Sequence, residues 1–574
     1  MMLIKALLLL TPTLPLLFAV AYPFARARRI IPRLATIAAL PALLLALLPQ
    51  NPIALDLPWL LLGTRLELDS TGQVFLGFTA FLWLIATAYT PGYFRSQPEQ
   101  QRQPRFFLWL LLTMAGNLGL IVAQDAASFF LFFALMSFAA YGLVVHNGDA
   151  QSRYAGRIYL TWVVIGEVLL FCGLSLCFFP ADSLYLTDLT GVSSPEVATV
   201  LLVLAFAIKA GVLLLHVWLP LAHGVAPAPA SAVLSGAMLK AGLLGWLRFL
   251  PLGEVAMTTW GWLFVTTGLI ATFYGAVVGL LQCKPKPLLA YSSVSQMGLL
   301  TLLVGAGMLA PEQWPLLSQV ILLFALHHAL AKGALFLGIP LVENSRGTAK
   351  KRLIGAITLP ALALAGAPFS SGMLAKVGIK ATLPLWSDSV QWLIMLLTLS
   401  SLATSLLMLR LLQLLYRSEP HGSPINPATT TLWLFSLIVM ALTTWLWPGS
   451  TPFRSHALSA DALLSASFPL LLALALGWGA VRWGITDRWS VAPGDILWIY
   501  RHLISRIVQL WHFIERLLVQ AHTTLTSALQ LLIGQSPHRH TWPGRWESYL
   551  QRWETGSITF VILIVLLFWL LLFF

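Results

Sequence analysis

The sequence predicts an all-α polytopic membrane protein of about 16 transmembrane helices, and three observations carry that prediction. The 574 residues are 58% hydrophobic and only 10% charged, with a mean hydropathy of +0.83, far too little charge to cover a soluble surface of this size. Apolar runs of about 20 residues recur from end to end, each long enough to cross a bilayer as a helix. Lys and Arg gather in alternate loops, the pattern of a chain threaded repeatedly through a membrane. A β-barrel would show short alternating segments instead.

The runs lie near residues 3–21, 30–48, 74–91, 105–123, 126–146, 157–179, 198–219, 228–250, 257–282, 288–310, 314–343, 356–381, 389–416, 430–447, 466–484 and 557–574. Met1 to Val20 has little positive charge ahead of it and reads as a first span, not a cleaved signal peptide. Residues 1–104 form an N-terminal group, interrupted at 51–73 by turn-like residues that suggest a small extracytoplasmic hairpin. Residues 105–250 and 257–416 divide into two repeats of five spans each, and 430–484 adds further spans. Within 491–535, apolar residues recur at helical spacing between Arg501, His502, Arg506, His512, Glu515 and Arg516. That segment is too polar to span and is expected to lie along the cytoplasmic face as an amphipathic helix, against either lipid or protein, ahead of a final span at 557–574.

Orientation follows from the basic residues. Arg26, Arg28, Arg29 and Arg33 fall between spans one and two, and Arg95, Arg102 and Arg105 after span three. Arg153 and Arg157 follow span five, Lys284 and Lys286 span nine, and Arg346, Lys350, Lys351 and Arg352 span eleven. These loops are assigned to the cytoplasm and both termini to the outside of a bacterial-type inner membrane. The net charge of +13 belongs to this pattern and gives no reason to expect nucleic acid. Cys172, Cys177 and Cys283 suggest neither a disulfide framework nor a metal site. No nucleotide loop, iron–sulfur cluster pattern or nucleophile arrangement is present, so no cofactor and no catalytic centre is expected in this chain.

The chemistry lies in charges at bilayer depth. An intramembrane lysine costs several kcal/mol, about 2.5 to 3.5 even on the lenient insertion scale, and persists mainly beside water or a partner. Lys209 is such a residue, followed by His216, Trp218, Pro220, His223, Pro227 and Pro229. Lys240, Lys332 and Lys376 lie in later spans, with Glu167 within span six and His327–His328 in span eleven. Ala365–Gly372 repeats the helix-breaking design just before Lys376. Two interrupted hydrophobic segments in corresponding positions are the mark of an inverted-repeat transporter whose ion path runs at the breaks. Asp125 reads as a helix cap. Arg248 and Lys380, near the outer membrane edge, read as snorkelling residues.

Four segments carry a specific resemblance: Lys209 through Lys240 (KAGVLLLHVWLPLAHGVAPAPASAVLSGAMLK), AYSSVSQMG (290–298), HHALAKGALF (327–336) and AGAPFSSGMLAK (365–376). Together, in this order, they resemble the antiporter-like membrane subunits shared by respiratory complex I, Mrp-type sodium/proton antiporters and membrane-bound hydrogenases. The resemblance covers about spans four to thirteen. It implies a hydrated mid-membrane axis in which Lys209 pairs with a glutamate, Lys240 connects, Lys332 with His327 or His328 relays, and Lys376 terminates the path. His216 and His223 match motif positions nearer the break.

The departures are specific too. Ala134 occupies the position where the family carries its span-five glutamate, Leu221 replaces the acid of its Leu-Pro-Asp-Ala pattern, and Lys284 stands where an acid precedes span ten. Glu167, on the neighbouring helix, is the candidate replacement partner for Lys209, against a purely structural role. The resemblance implies a proton-translocating subunit of a larger assembly, with sodium/proton exchange as a variant and other membrane subunits as partners. Two alternatives stay open: a proton-conducting module energising a soluble inorganic-carbon capture partner, and a degenerate anchor that conducts nothing.

Overall fold

The computed structural model describes residues 1–500 except 23, 50–52, 97–102, 179–183, 190–194, 387–389, 421 and 485–488, with isolated positions from His502 to Ser527. The chain divides into two compact units, Met1–Ile496 and Leu497–Phe574. Most of the expected surface helix within 491–535 and the whole of the final span at 557–574 lie outside the described residues. Val491–Ile496 is not helical, whereas Leu497–Tyr500 is.

The first unit is helical apart from one hairpin. In order it contains α1 (Met2–Ala21), α2 (Ala25–Leu34), α3 (Leu40–Leu47), the strands β1 (Leu55–Leu57) and β2 (Thr64–Leu66), α4 (Ser70–Arg95), α5 (Gln103–Val122), α6 (Ala126–Val144) and α7 (Ala150–Phe178). Then follow α8 (Glu196–Ala210), α9 (Trp218–Val225), α10 (Ala228–Val233), α11 (Leu239–Phe249), α12 (Thr258–Leu280), α13 (Pro285–Leu309) and α14 (Trp314–Glu343). The unit closes with α15 (Gly347–Ala365), α16 (Ser371–Thr382), α17 (Val390–Arg417), α18 (Pro427–Leu446), α19 (Thr451–Ala457) and α20 (Ala460–Arg482). Among the described residues, 13 helices are long and apolar enough to cross a membrane uninterrupted. The two expected broken segments add α8–α9 and α15–α16.

Several boundaries differ from expectation for local reasons. The arginines expected between the first two spans are helical, because Ala25–Leu47 runs on as α2, a 3-10 turn at Ala35–Ala39 and α3. Lys350, Lys351 and Arg352 likewise lie within the first turns of α15. In the seventh span the prolines are not the breakers. Helix α8 stops at Gly211, which adopts φ +67°, and Pro220 lies in the first turn of α9, where its missing N–H is harmless.

The hairpin pairs Leu55 with Leu66, Asp56 with Arg65 and Leu57 with Thr64. Asp125 caps α6 by accepting from the Ser128 N–H at 2.7 Å and also holds the Arg65 N–H at 2.9 Å. Arg248 does not snorkel. Its side chain is only 5% exposed and bonds Asp69 at 2.9 Å and the Leu120, Ile121 and Ala123 carbonyls, the otherwise unpaired end of α5.

Helices α13 and α14 are buried along their whole apolar windows, which places residues 285–343 at the heart of the bundle. Small residues allow the tightest approaches. A methyl group on Gly268 of α12 would sit 2.5 Å from the Gly298 carbonyl oxygen of α13, so only glycine permits that backbone contact. Gly166 of α7 has ordinary room (3.5 Å to Ile208), and a tighter point between α7 and α8 is Gly173 against Leu202.

Candidate functional site: a buried row of amines and imidazoles

The two breaks are built alike. Gly211 ends α8 with φ +67° and Gly366 ends α15 with φ +83°; three residues later Leu214 and Phe369 also take positive φ, +71° and +62°. At each break the N–H two residues past the last helical residue reaches back to the same carbonyl position, Val212 to Ala207 and Ala367 to Leu362. This is a Schellman closure inside the membrane, and glycine at the left-handed position makes it affordable. Each break is the fourth of five consecutive spans, counted from α5 and from α12.

Around the first break, Lys209 projects from the last turn of α8. Its Nζ donates to Ser137 Oγ at 2.9 Å and lies 5.4 Å from the centre of the Phe133 ring. Glu167 on α7 lies within electrostatic reach of both Lys209 and the Ser137 hydroxyl, which itself donates to the Phe133 carbonyl at 2.9 Å. Lys209, Glu167 and Ser137 line one cavity of about 20 Å³ with Tyr159, Trp162 and Trp218, room for about one water. The second carboxylate oxygen of Glu167 has no protein partner. The Trp218 indole donates to the Ile208 carbonyl at 2.9 Å and covers the exposed end of α8.

A second group occupies the centre. Lys240 follows a π-helical turn at Leu234–Met238, and its Nζ donates to the Ser235 carbonyl at 2.7 Å; such turns distort the regular ladder, often at functional positions. Ser235 Oγ in turn meets Ser293 Oγ at 2.8 Å. Lys332 Nζ donates to the Leu289 carbonyl at 2.8 Å. Both lysines are 0% exposed, and both of these partners are neutral. His223 stacks on Phe336 with ring centres 4.6 Å apart. The charges of Lys240 and Lys332 act on each other and on His223 and His328. Neither ring nitrogen of His223 or His328 has a protein partner. Buried polar atoms of this kind are satisfied by water.

The third group surrounds the second break. His327 Nδ1 meets Ser371 Oγ at 2.9 Å, and the charge of Lys376 acts on the same imidazole. Lys376 Nζ donates to the Ala365 carbonyl at 2.8 Å, at the end of α15. One turn on, Lys380 bonds Ser465 at 2.8 Å. Lys376 and Lys380 both open into a cavity of about 310 Å³ that Thr398, Ser401, His456 and Asp461 also line. Lys380 therefore faces the same cavity as Lys376.

His216 lies in the first break, 0% exposed, with ring centres 5.2 Å from Tyr274 and 6.0 Å from Tyr291. Sequence reasoning missed Ser137, Ser235, Ser293 and Ser371. Their only signal is a hydroxyl in an apolar helix, and most such hydroxyls merely bond a carbonyl one turn back.

Geometry and fold thus define a class: a polytopic helical membrane protein with two interrupted helices and a buried chain of lysines, histidines and one glutamate between them. Residues 123–404 match the family described as NADH:quinone oxidoreductase/Mrp antiporter, transmembrane, and over that stretch the chain is similar to these antiporter-like membrane subunits. It is 27% identical over 368 residues to a putative antiporter subunit mnhA2 of Staphylococcus aureus (strain MRSA252), covering 58% of this chain and 45% of the relative. It is 32% identical over 305 residues to hydrogenase-4 component B of Escherichia coli (strain K12), covering 51% and 45%. The chain therefore spans less than half the length of these curated relatives. In fold it is similar to a chain of the Mrp complex from Dietzia sp. DQ12-45-1b, with a TM-score of 0.67 at 21% identity, covering 83% of this chain and 100% of that one. A chain of an archaeal membrane-bound sulfane sulfur reductase gives a TM-score of 0.65 at 20% identity, covering 81% and 99%.

Proposed function

We propose that this protein moves protons across a bacterial cytoplasmic membrane as one subunit of a multisubunit complex, passing them along Glu167, Lys209, Lys240, His327, His328, Lys332 and Lys376, with His216 and His223 beside the first break. The observation that carries this reading is the central group. Lys240 and Lys332 are fully buried, their hydrogen-bond partners are backbone carbonyls, and they neighbour imidazoles whose nitrogens only water can satisfy. Retaining such costly groups makes sense where protons are stored and released. The two similar breaks support the reading. The breaks fall in the fourth and ninth spans counted from α5, an odd offset of five, so the second run enters from the opposite face, as an inverted repeat does. Relatives described as an antiporter subunit and a hydrogenase component support assembly with other membrane subunits.

Ser137 supplies what the sequence lacks at Ala134. It lies one turn further along α6 and joins Lys209 to Glu167, so the pair forms between α7 and α8 with a hydroxyl between them. The test is proton flux in proteoliposomes holding the assembled complex, read with an internal pH dye. Lys209→Ala and Lys376→Ala are each expected to lower flux at least tenfold. Full flux in both variants would leave the chain an inert anchor. Sodium dependence of the same signal separates exchange from simple proton passage.

A further inference from the structure

The loop that follows α20 returns to the first break. Val491 N–H donates to the Leu281 carbonyl at 3.2 Å, and Gln282 Nε2 donates to the Val491 carbonyl at 3.1 Å, pinning the loop beside the α12–α13 turn. Gly494 takes φ +79° and passes so close to α9 that a methyl group on it would lie 3.1 Å from Leu221 Cδ1. Its N–H donates to the Tyr291 hydroxyl at 3.2 Å. The next residue is Asp495. Tyr291 donates to Asp495 Oδ1 at 2.5 Å and Tyr274 donates to Oδ2, so a phenol engages each carboxylate oxygen.

Those two tyrosines are the ones whose rings flank buried His216, and the Asp495 charge acts on that imidazole. The preceding residues Ser490–Pro493 form one wall of a cavity of about 460 Å³. Leu221 and Gly224 of α9 and Gln282–Lys284 form other parts of the wall. Helix α9 (WLPLAHGV) contains no acid of its own. A partly exposed carboxylate thus lies against the two tyrosines that flank the imidazole inside the broken helix, two residues past the loop segment that lines this cavity, although the chain delivers it from a distant loop.

We propose that Asp495 is a proton-transfer residue of the first half of the path, exchanging protons between solvent at its partly exposed carboxylate and His216. In the inward direction an O–H bond of a solvent hydronium ion breaks, releasing water, as the carboxyl O–H forms. That bond then breaks as an N–H forms on the imidazole, directly or through an intervening water or phenol. No electrons are gained or lost. The two tyrosines hold both carboxylate oxygens in place, which makes them positioning residues. This inference rests on the proposed proton conduction and extends it to a residue outside the spans.

The experiment compares Asp495→Asn, Asp495→Glu and the double variant Tyr274→Phe/Tyr291→Phe in the assembled complex. Flux is measured in proteoliposomes, and hydrogen exchange of residues 489–496 reports whether the loop stays docked. Asp495→Asn keeps the size and one acceptor oxygen but cannot carry a proton. Its flux should fall at least tenfold with loop protection retained, Asp495→Glu should recover at least a third of it, and the tyrosine variant should lower flux less than Asp495→Asn does. Normal flux in a docked Asp495→Asn loop overturns the proposal. If that variant also undocks the loop, Asp495→Glu decides: a docked loop with restored flux supports proton transfer, and a docked loop without flux overturns it. Should Lys209→Ala and Lys376→Ala abolish flux while Asp495→Asn does not, proton conduction stands and only this extension fails.

Discussion

Replacing Ser137 with alanine isolates the link between Glu167 and Lys209. The Ser137 hydroxyl accepts from Lys209 Nζ at 2.9 Å and donates to the Phe133 carbonyl at 2.9 Å, within reach of the Glu167 carboxylate, to which its proton can turn. A hydrogen bond to a charged group contributes about 1.5–3 kcal/mol, and each 1.4 kcal/mol is about a factor of ten. Removing this one should therefore slow proton exchange between the two groups about 10- to 100-fold. The Phe133 ring remains 5.4 Å from the ammonium, and such a contact at a desolvated site contributes about 2 kcal/mol, so residual flux is expected. Ser137→Thr, which keeps the hydroxyl, should retain most of the activity.

The assay is dye-reported proton uptake by proteoliposomes of the assembled complex under an imposed pH gradient. Glu167→Gln is measured alone and combined with Ser137→Ala. Groups in direct contact show coupling of about 0.5–3 kcal/mol in such cycles, so the double variant should be less impaired than the product of the two single effects. Flux in Ser137→Ala within twofold of the parent, in a preparation where Lys209→Ala is inactive, would refute the bridge. Strictly multiplicative effects of the two substitutions would refute it as well.

Three further outcomes follow from the fold. Arg248→Ala strips four acceptors of a charged donor, and removing one partner of a buried ion pair costs about 3–5 kcal/mol; because Asp69 is 41% exposed, a loss near the lower end is expected. Thermal denaturation of the complex in detergent should show it, and an unchanged midpoint would rule out the clamp. Gly268→Val forces a side chain into the Gly298 carbonyl, 2.5 Å away at Cβ. Overpacking of about 1–3 kcal/mol should lower the same midpoint, and native stability would show that α12 and α13 can separate freely. At the surface, Asp149 caps α7 through the Ser152 N–H at 2.6 Å, and that bond, with the Ser152 hydroxyl, the Gln151 N–H and Arg153, holds its carboxyl below the usual aspartate value. A carboxyl depressed in the folded state adds stability above its unfolded value, about 3.9, and that contribution disappears as pH falls through the lower folded value. Asp149→Asn should therefore flatten part of the stability loss between pH 5 and 3, both about one unit from that value, in a thermal scan; an unchanged slope would count against the cap.

Much of this was legible in the sequence because membrane depth makes errors expensive. Lys209, Lys240, Lys332 and Lys376 announce themselves by cost alone, whereas the sequence pointed to the prolines of span seven and the break falls at Gly211. Span edges were less legible: Arg26, Arg28, Arg29 and Arg33 and Lys350–Arg352 count as loop by charge, yet lie within helices. Arg248 misled for the opposite reason. A long cationic side chain near a span end looks destined for lipid headgroups, and only the three-dimensional end of α5 reveals carbonyls that need its donors. The hydroxyls at 137, 235, 293 and 371 carry no local signature, and Asp495 lies so far along the chain from His216 that no spacing rule connects them.

The two breaks explain how two lysines with different neighbours come to share one environment. Lys209 precedes its break by two residues, whereas Lys376 lies on the helix after the other break. Yet both amines sit at the carbonyl end of a half-helix that stops inside the membrane: Lys209 is in the last turn of α8, and Lys376 folds back to the Ala365 carbonyl of α15. A helix C-terminus carries the equivalent of roughly half a negative charge, and interior burial screens it little. Lys376 therefore has a built-in counter-charge of backbone origin, while Lys209 shares its helix end with Trp218, whose indole already occupies the Ile208 carbonyl. Lys209 instead has the Ser137 hydroxyl as its hydrogen-bond partner and Glu167 within electrostatic reach, whereas Lys376 holds its helix-end carbonyl directly.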